Sequence, residues 1–116
     1  MNESILTSVK KGVGGIAEDD QSFDDDIILH TNTVLSKLTQ LGVGPDTGFA
    51  ISDKTATWND FIGEDLKTQM VKSYVILSVR MLFDPPTVGA VADAMKTNIA
   101  ELEWRLNTQA EAGDPT

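Results

Sequence analysis

The sequence predicts an all-α fold, a small bundle of three to four main helices over about residues 4–11, 22–41, 64–83 and 87–108, with a short helical turn at 58–62 and a long loop at 42–57. Three observations carry this. Apolar residues recur at three- and four-residue spacing through every long segment. Glycine and proline fall mostly between those segments, where chains turn. The one alternating stretch, Phe49-Ala50-Ile51-Ser52, is too small for a sheet. Residues 1–109 read as a single helical domain, and 110–116, with nothing to bury, as a disordered tail.

The first helix places Ile5, Leu6 and Val9 on one side and is expected to stop at Gly12-Val13-Gly14-Gly15, three glycines in four positions. The preceding Lys10-Lys11 invites a phosphate-loop reading, but no closing Gly-Lys-Ser/Thr and no apolar strand accompany it, so a plain helix stop is expected. In the second helix Ser22 is expected to cap the start, with Asp25 completing a capping box. Its buried stripe is Ile27, Val34, Leu38 and Leu41, with Ile28 and Leu35 alongside. Asp24, Asp25 and Asp26 fall in the first turn, where the partial positive charge of a helix start favours them. A calcium loop wants a central glycine and a closing glutamate, and this stretch has neither. His30 is the sole histidine, four residues after Asp26, and reads as a boundary residue touching a carboxylate.

Gly42 to Gly48 is turn chemistry almost throughout. Thr57 and Asp60 form a second capping box, leading into a turn whose Trp58, Phe61 and Ile62 point one way as a plug for the base of the bundle. The next helix is the most apolar. Leu66, Met70, Tyr74, Leu77 and Met81 share a face, and Val71, Val75 and Leu82 widen it to about half the cylinder. Lys72, Gln69 and Arg80 sit opposite, and Ile76 and Phe83 are apolar residues on that polar side. Such a helix has to be covered by most other segments, or partly by another chain. Arg80 and Asp84 are spaced to pair, and Pro85-Pro86 ends the helix. The last helix carries a narrow stripe of Val88, Val91, Met95, Ile99, Leu102 and Leu106. Trp104 lies about 180° from that stripe. A tryptophan there suits an anchor for another subunit, the alternative being packing against the first helix of its own chain.

Composition narrows the chemistry. With 18 acids against 9 bases and a net charge of −9, the chain is unsuited to gripping nucleic acid through phosphates. Absent cysteine excludes thiol catalysis and cysteine-based metal centres. No run is long and apolar enough for a membrane span, and Met1-Asn2-Glu3-Ser4 lacks the basic start of a signal peptide, so synthesis in the cytoplasm is expected. With one histidine, any catalytic centre would consist of carboxylates, so no enzyme, cofactor or metal site is expected.

Four stretches, Asp24-Asp25-Asp26-Ile27-Ile28, Leu41-Gly42-Val43-Gly44-Pro45, Thr57 to Gly63, and Leu82-Phe83-Asp84-Pro85-Pro86 together with Glu101 to Leu106, occur in an order that resembles the head-tail connector (adaptor) proteins of long-tailed bacteriophages. The resemblance spans Ile5 to Asn107. It implies a virion protein, made in the bacterial host, that forms a homo-oligomeric ring between portal protein and tail, extends the DNA channel without reading sequence, and offers a platform to a stopper or tail-completion protein. On that reading Trp104, Ile76, Phe83, Arg105, Asp24, Asp25 and Asp26 are the candidate subunit or partner contacts. The alternatives are a stopper or tail-completion protein of the same neck region, or a small metal-dependent acidic regulator built on the Asp24, Asp26 and His30 cluster.

Overall fold

Five helices make up the described residues: α1 (Ile5–Gly14), α2 (Asp24–Gln40), α3 (Trp58–Ile62), α4 (Thr68–Phe83) and α5 (Gly89–Ala112). The structure is a computed structural model that describes residues 3–63 and 68–112, the last four as backbone only. The predicted start of the central helix at 64–67, including Leu66, lies outside the described residues, as do 113–116 of the predicted tail. Residues 110–112 belong to α5, which runs past its expected end at 108. The all-α prediction holds.

α4 packs against each of the other four helices, α1 also touches α2, and α5 leans chiefly on α4. The central helix is thus covered by its own chain. Its deepest residues are Thr68, Val71, Tyr74, Val75 and Val79, while Met70, Leu77 and Met81 lie half-buried at the edge of that face. Leu82, expected on the buried side, is 49% exposed. The α4 side chain that meets α1 at the glycine run is Ile76. At Gly12 the approach leaves no room for a side chain: a Cβ would stand 2.3 Å from Ile76 Cγ2.

That contact corrects the reading of the glycine run. α1 continues through Gly12 to Gly14 and ends only at Gly15, which adopts the left-handed conformation (φ 67°) and donates its N–H to the Lys11 carbonyl at 3.1 Å. Gly12 is therefore a notch for α4, and Gly15 alone is the stop. At the other end Ser4 caps the helix by accepting the Thr7 N–H.

Two predicted caps separate. The Thr57–Asp60 box forms in both directions, Asp60 N–H to Thr57 Oγ1 at 3.2 Å and Thr57 N–H to the Asp60 carboxylate at 3.0 Å. The Ser22 box does not form: Phe23 is the N-cap residue, without a side-chain cap, and the Ser22 N–H is taken by Asp20 Oδ1 at 3.0 Å. The Phe23 ring meets Phe83 edge-on at 5.6 Å, which fixes the entry to α2 through packing.

The loop segments are tied down by side chains in place of a sheet. Asn32 of α2 bonds both backbone groups of Ile51, accepting its N–H at 2.8 Å and donating to its carbonyl at 3.0 Å. Trp58 and Phe61 of α3 form the expected plug, buried to 0% and 2% exposure. The Trp58 indole N–H donates to Ser8 Oγ at 3.0 Å, Ser8 donates to Glu3, and Glu3 takes the Lys72 ammonium at 2.7 Å, so one polar chain joins α3, α1 and α4. Hydrogen bonds from Lys72 and Ser8 hold the Glu3 carboxyl below its usual pKa.

Gly12→Ala gains helix propensity of about 1 kcal/mol but forces a methyl into Ile76, a strain of about 1–3 kcal/mol, so thermal stability should fall. Gly14→Ala, with nothing within 4 Å of the new methyl, should raise it. Melting curves of the two variants, and relief of the first by Ile76→Ala, check the notch.

Candidate assembly surfaces

The acidic turn is partly an internal device. Lys10, on the inner side of α1, is 2% exposed, and its Nζ lies 2.9 Å from Asp24 Oδ1 and donates to the Glu18 carbonyl at 3.0 Å. An ammonium buried this deeply requires a counter-charge. Asp24, in the first turn of α2, supplies it, and the Glu18 carbonyl ties the connecting segment to the same point. Asp25 and Asp26 remain exposed. Beside the pair lies a cleft of about 470 Å³ lined by Gln21, Asp25, Ser52, Asp53 and Lys54 among others. The buried lysine was not apparent from the sequence, where Lys10-Lys11 reads as two surface cations. Its signal was the four-residue spacing from Leu6 and one-residue step from Val9, which keep position 10 on the edge of the buried side.

The remaining candidate residues divide. Ile76 is half-buried over Gly12, and Phe83 is half-buried between Phe23 and His30, whose ring centroid is 6.4 Å away. His30 thus touches an aromatic ring. The expected Arg80–Asp84 ion pair does not form: the two residues meet only through the helical hydrogen bond from Asp84 N–H to the Arg80 carbonyl at 2.8 Å, and Arg80 Nε is buried without a hydrogen-bond partner. Arg105 pairs with Glu101 at 2.7 Å on the outer surface of α5. Trp104 stands beside that pair at 68% exposure, away from α1, which removes the alternative that it packs within the chain.

A second exposed apolar region surrounds the α4–α5 corner. Val88 and Val91, expected in the buried stripe of α5, are 59% and 47% exposed, and only Met95 and Leu106 of that stripe are fully buried. α5 begins beyond the reach of the helices that would cover it. Leu29, on α2, is 64% exposed. Between α2 and α5, above α4, runs an apolar groove of about 280 Å³ with Thr33 and Val34 on one wall, Ile99 on the other, and Ser78 and Met81 below. Lys37 of α2 closes one end by pairing with Glu103 of α5 at 2.7 Å, and the Tyr74 hydroxyl donates to the same carboxylate at 2.7 Å. Leu82 lines the other end, and Leu29 lies one helical turn before Thr33 on that side.

Partial burial pushes the Glu103 pKa up, but hydrogen bonds from Lys37 and Tyr74 outweigh it and hold the carboxyl below its usual value; burial and the adjacent carboxylate hold the Tyr74 phenol high. Among the described residues no cluster of three or more metal-ligating side chains occurs, and no helix is long and apolar enough to cross a membrane.

Two predictions follow from these ion pairs. Asp24→Ala strands the buried Lys10 charge and should cost about 3–5 kcal/mol, whereas Asp25→Ala should cost less than about 1 kcal/mol and Lys10→Met, which removes the charge, should be milder than Asp24→Ala; urea unfolding orders the three. Because the folded Glu103 carboxyl is lowered, its contribution is complete above the ordinary value of 4.5 and is lost as pH falls through the lower folded value. Glu103→Gln should therefore lower the melting temperature at pH 7, with the difference from the parent shrinking toward pH 3.

Residues 5–113 match the family described as phage connector protein, a structural family of the phage neck. No curated protein and no solved structure matches the chain.

Proposed function

The chain belongs to the phage connector protein family, and we propose that it forms a homo-oligomeric ring between the portal and the tail of the virion, extends the DNA channel and gives the tail a docking platform. Residues 1–109 act as one unit in this role. The observation that carries the reading is that apolar side chains stay uncovered at separate places on an otherwise closed bundle: Leu82, Val88 and Val91 around the α4–α5 corner, Leu29 on α2, and Trp104 on the outer side of α5. A ring subunit meets its two neighbours through two different patches, so a chain that has them is equipped for cyclic, head-to-tail association.

The charge supports the same reading. A protein of net charge −9 repels phosphate, which lets DNA slide through a channel without being held. Asp25, Asp26 and Arg105, exposed and free of any burial constraint, are available to partners, while Ile76, Phe83 and Asp24 already serve the packing of the chain itself.

Electron microscopy of a lysate of the phage lacking this gene tests the role. Filled heads and complete tails that never join are expected; normally joined virions would overturn it. Trp104→Ala should leave the melting temperature of the isolated chain within the scatter of surface substitutions, about 0.5 kcal/mol, and lower the yield of joined particles.

A further inference from the structure

We propose that the groove between α2 and α5 is the receptor for Trp104 of the adjacent copy of this chain, so that each ring contact is one indole seated on α4 of its neighbour. The inference rests on the ring reading and names the contact that builds it. Trp104 is the largest uncovered apolar side chain in the described residues, and the helix that carries it packs on α4 and joins the core through Leu102 and Leu106 on other sides. The indole therefore points away from its own groove, and the two fit together only between copies.

The fit is chemical as well as steric. The groove offers Val34, Met81 and Ile99 to a ring face, and its about 280 Å³ suits a single large side chain. An apolar hollow holding one tryptophan, rimmed by polar groups, is the arrangement in which truncation of a single residue removes most of a contact. The charges agree too. Lys37, 54% exposed, stands at the closed end of the groove and spends one N–H on Glu103. Trp104 arrives flanked by the exposed Glu101 and Arg105. Glu101 then faces the remaining donors of Lys37, and Arg105 faces Glu103, a four-charge cluster with alternating signs. A neighbour lacking this acid–base pair beside an aromatic residue would not match the rim.

The chain contains no cysteine, which makes the contact directly readable. Thr33→Cys marks the groove wall and Ala100→Cys marks the exposed face one turn before Trp104. Phage particles carrying both substitutions, purified and treated with a short bis-maleimide, should give a ladder of covalent multimers of this chain. Particles carrying either substitution alone should not. Adding Trp104→Ala should reduce the ladder roughly tenfold or more. If Trp104→Ala yields no particles, the comparison is made on the purified chain at the concentration where the parent ladder appears, with melting curves confirming that every variant is folded. Cross-links only to a different virion protein, or a ladder indifferent to Trp104→Ala, would each overturn the proposal and leave the ring reading standing; a chain that is present as a single copy in joined particles would overturn both. Joined particles that contain none of this chain would instead remove the ring reading itself.

Discussion

The structure depends on covering α4. A helix apolar over about half its circumference has to remove most of that surface from water, and no single neighbour is wide enough to do so. The chain solves this by setting α1, α2 and α5 around it and α3 across one end. Each neighbour is held by a different device. α1 comes close because Gly12 has no side chain where Ile76 lies. α2 is fixed at its start by the Lys10–Asp24 pair and by Phe23 against Phe83. α5 is seated on the core by Ile99, Leu102 and Leu106 and tied to α2 by Lys37 and Glu103.

The buried lysine shows how polar groups specify what apolar burial leaves loose. Hydrophobic contact alone would tolerate α1 at several rotations against α4. The Lys10 ammonium reaches a counter-charge in the arrangement where it meets Asp24 and the Glu18 carbonyl, and an unpaired charge at that depth is costly. The Ser8 hydroxyl does the same further along α1, taking the Trp58 indole N–H and passing a hydrogen bond to Glu3. Both groups sit on the flank of α1, so its rotation is set from two points.

Helix existence and the plug of α3 were legible from periodicity and capping chemistry, because those signals are local: Thr57 and Asp60 are three residues apart and make the bonds their types allow. What was not legible depends on distant partners. Gly12 reads as a helix breaker until Ile76, far along the chain, is known to need its space. Lys10 reads as surface until Asp24 is placed beside it. Ser22 had the right type for a cap, but the aromatic contact of Phe23 moved the helix start past it. The stripe of α5 was drawn correctly as a stripe, yet nothing in its spacing tells that α4 ends before Val88 and Val91 can be covered. The same limit applies to the candidate assembly surface. Trp104 was visible as a residue out of pattern, whereas the groove requires three helices and appears in none of them singly.

The uncovered surface follows from the same geometry that covers α4. α5 is the longest helix and leans chiefly on one partner, so part of its length projects and its outer face meets nothing in the chain. A domain selected only for stability would shorten α5 or fill the groove with larger side chains at Thr33 and Ser78, since apolar burial there is the most accessible gain left. Small polar residues stand at both positions instead, and the hollow stays open while a tryptophan is left at 68% exposure nearby in sequence but on another face. Each of these features is unfavourable for an isolated chain. In the proposed contact between copies they would offset one another, because the water on the hollow and on the indole would be released together. On the proposed ring, the stability that each chain forgoes alone is recovered at the contact between neighbours.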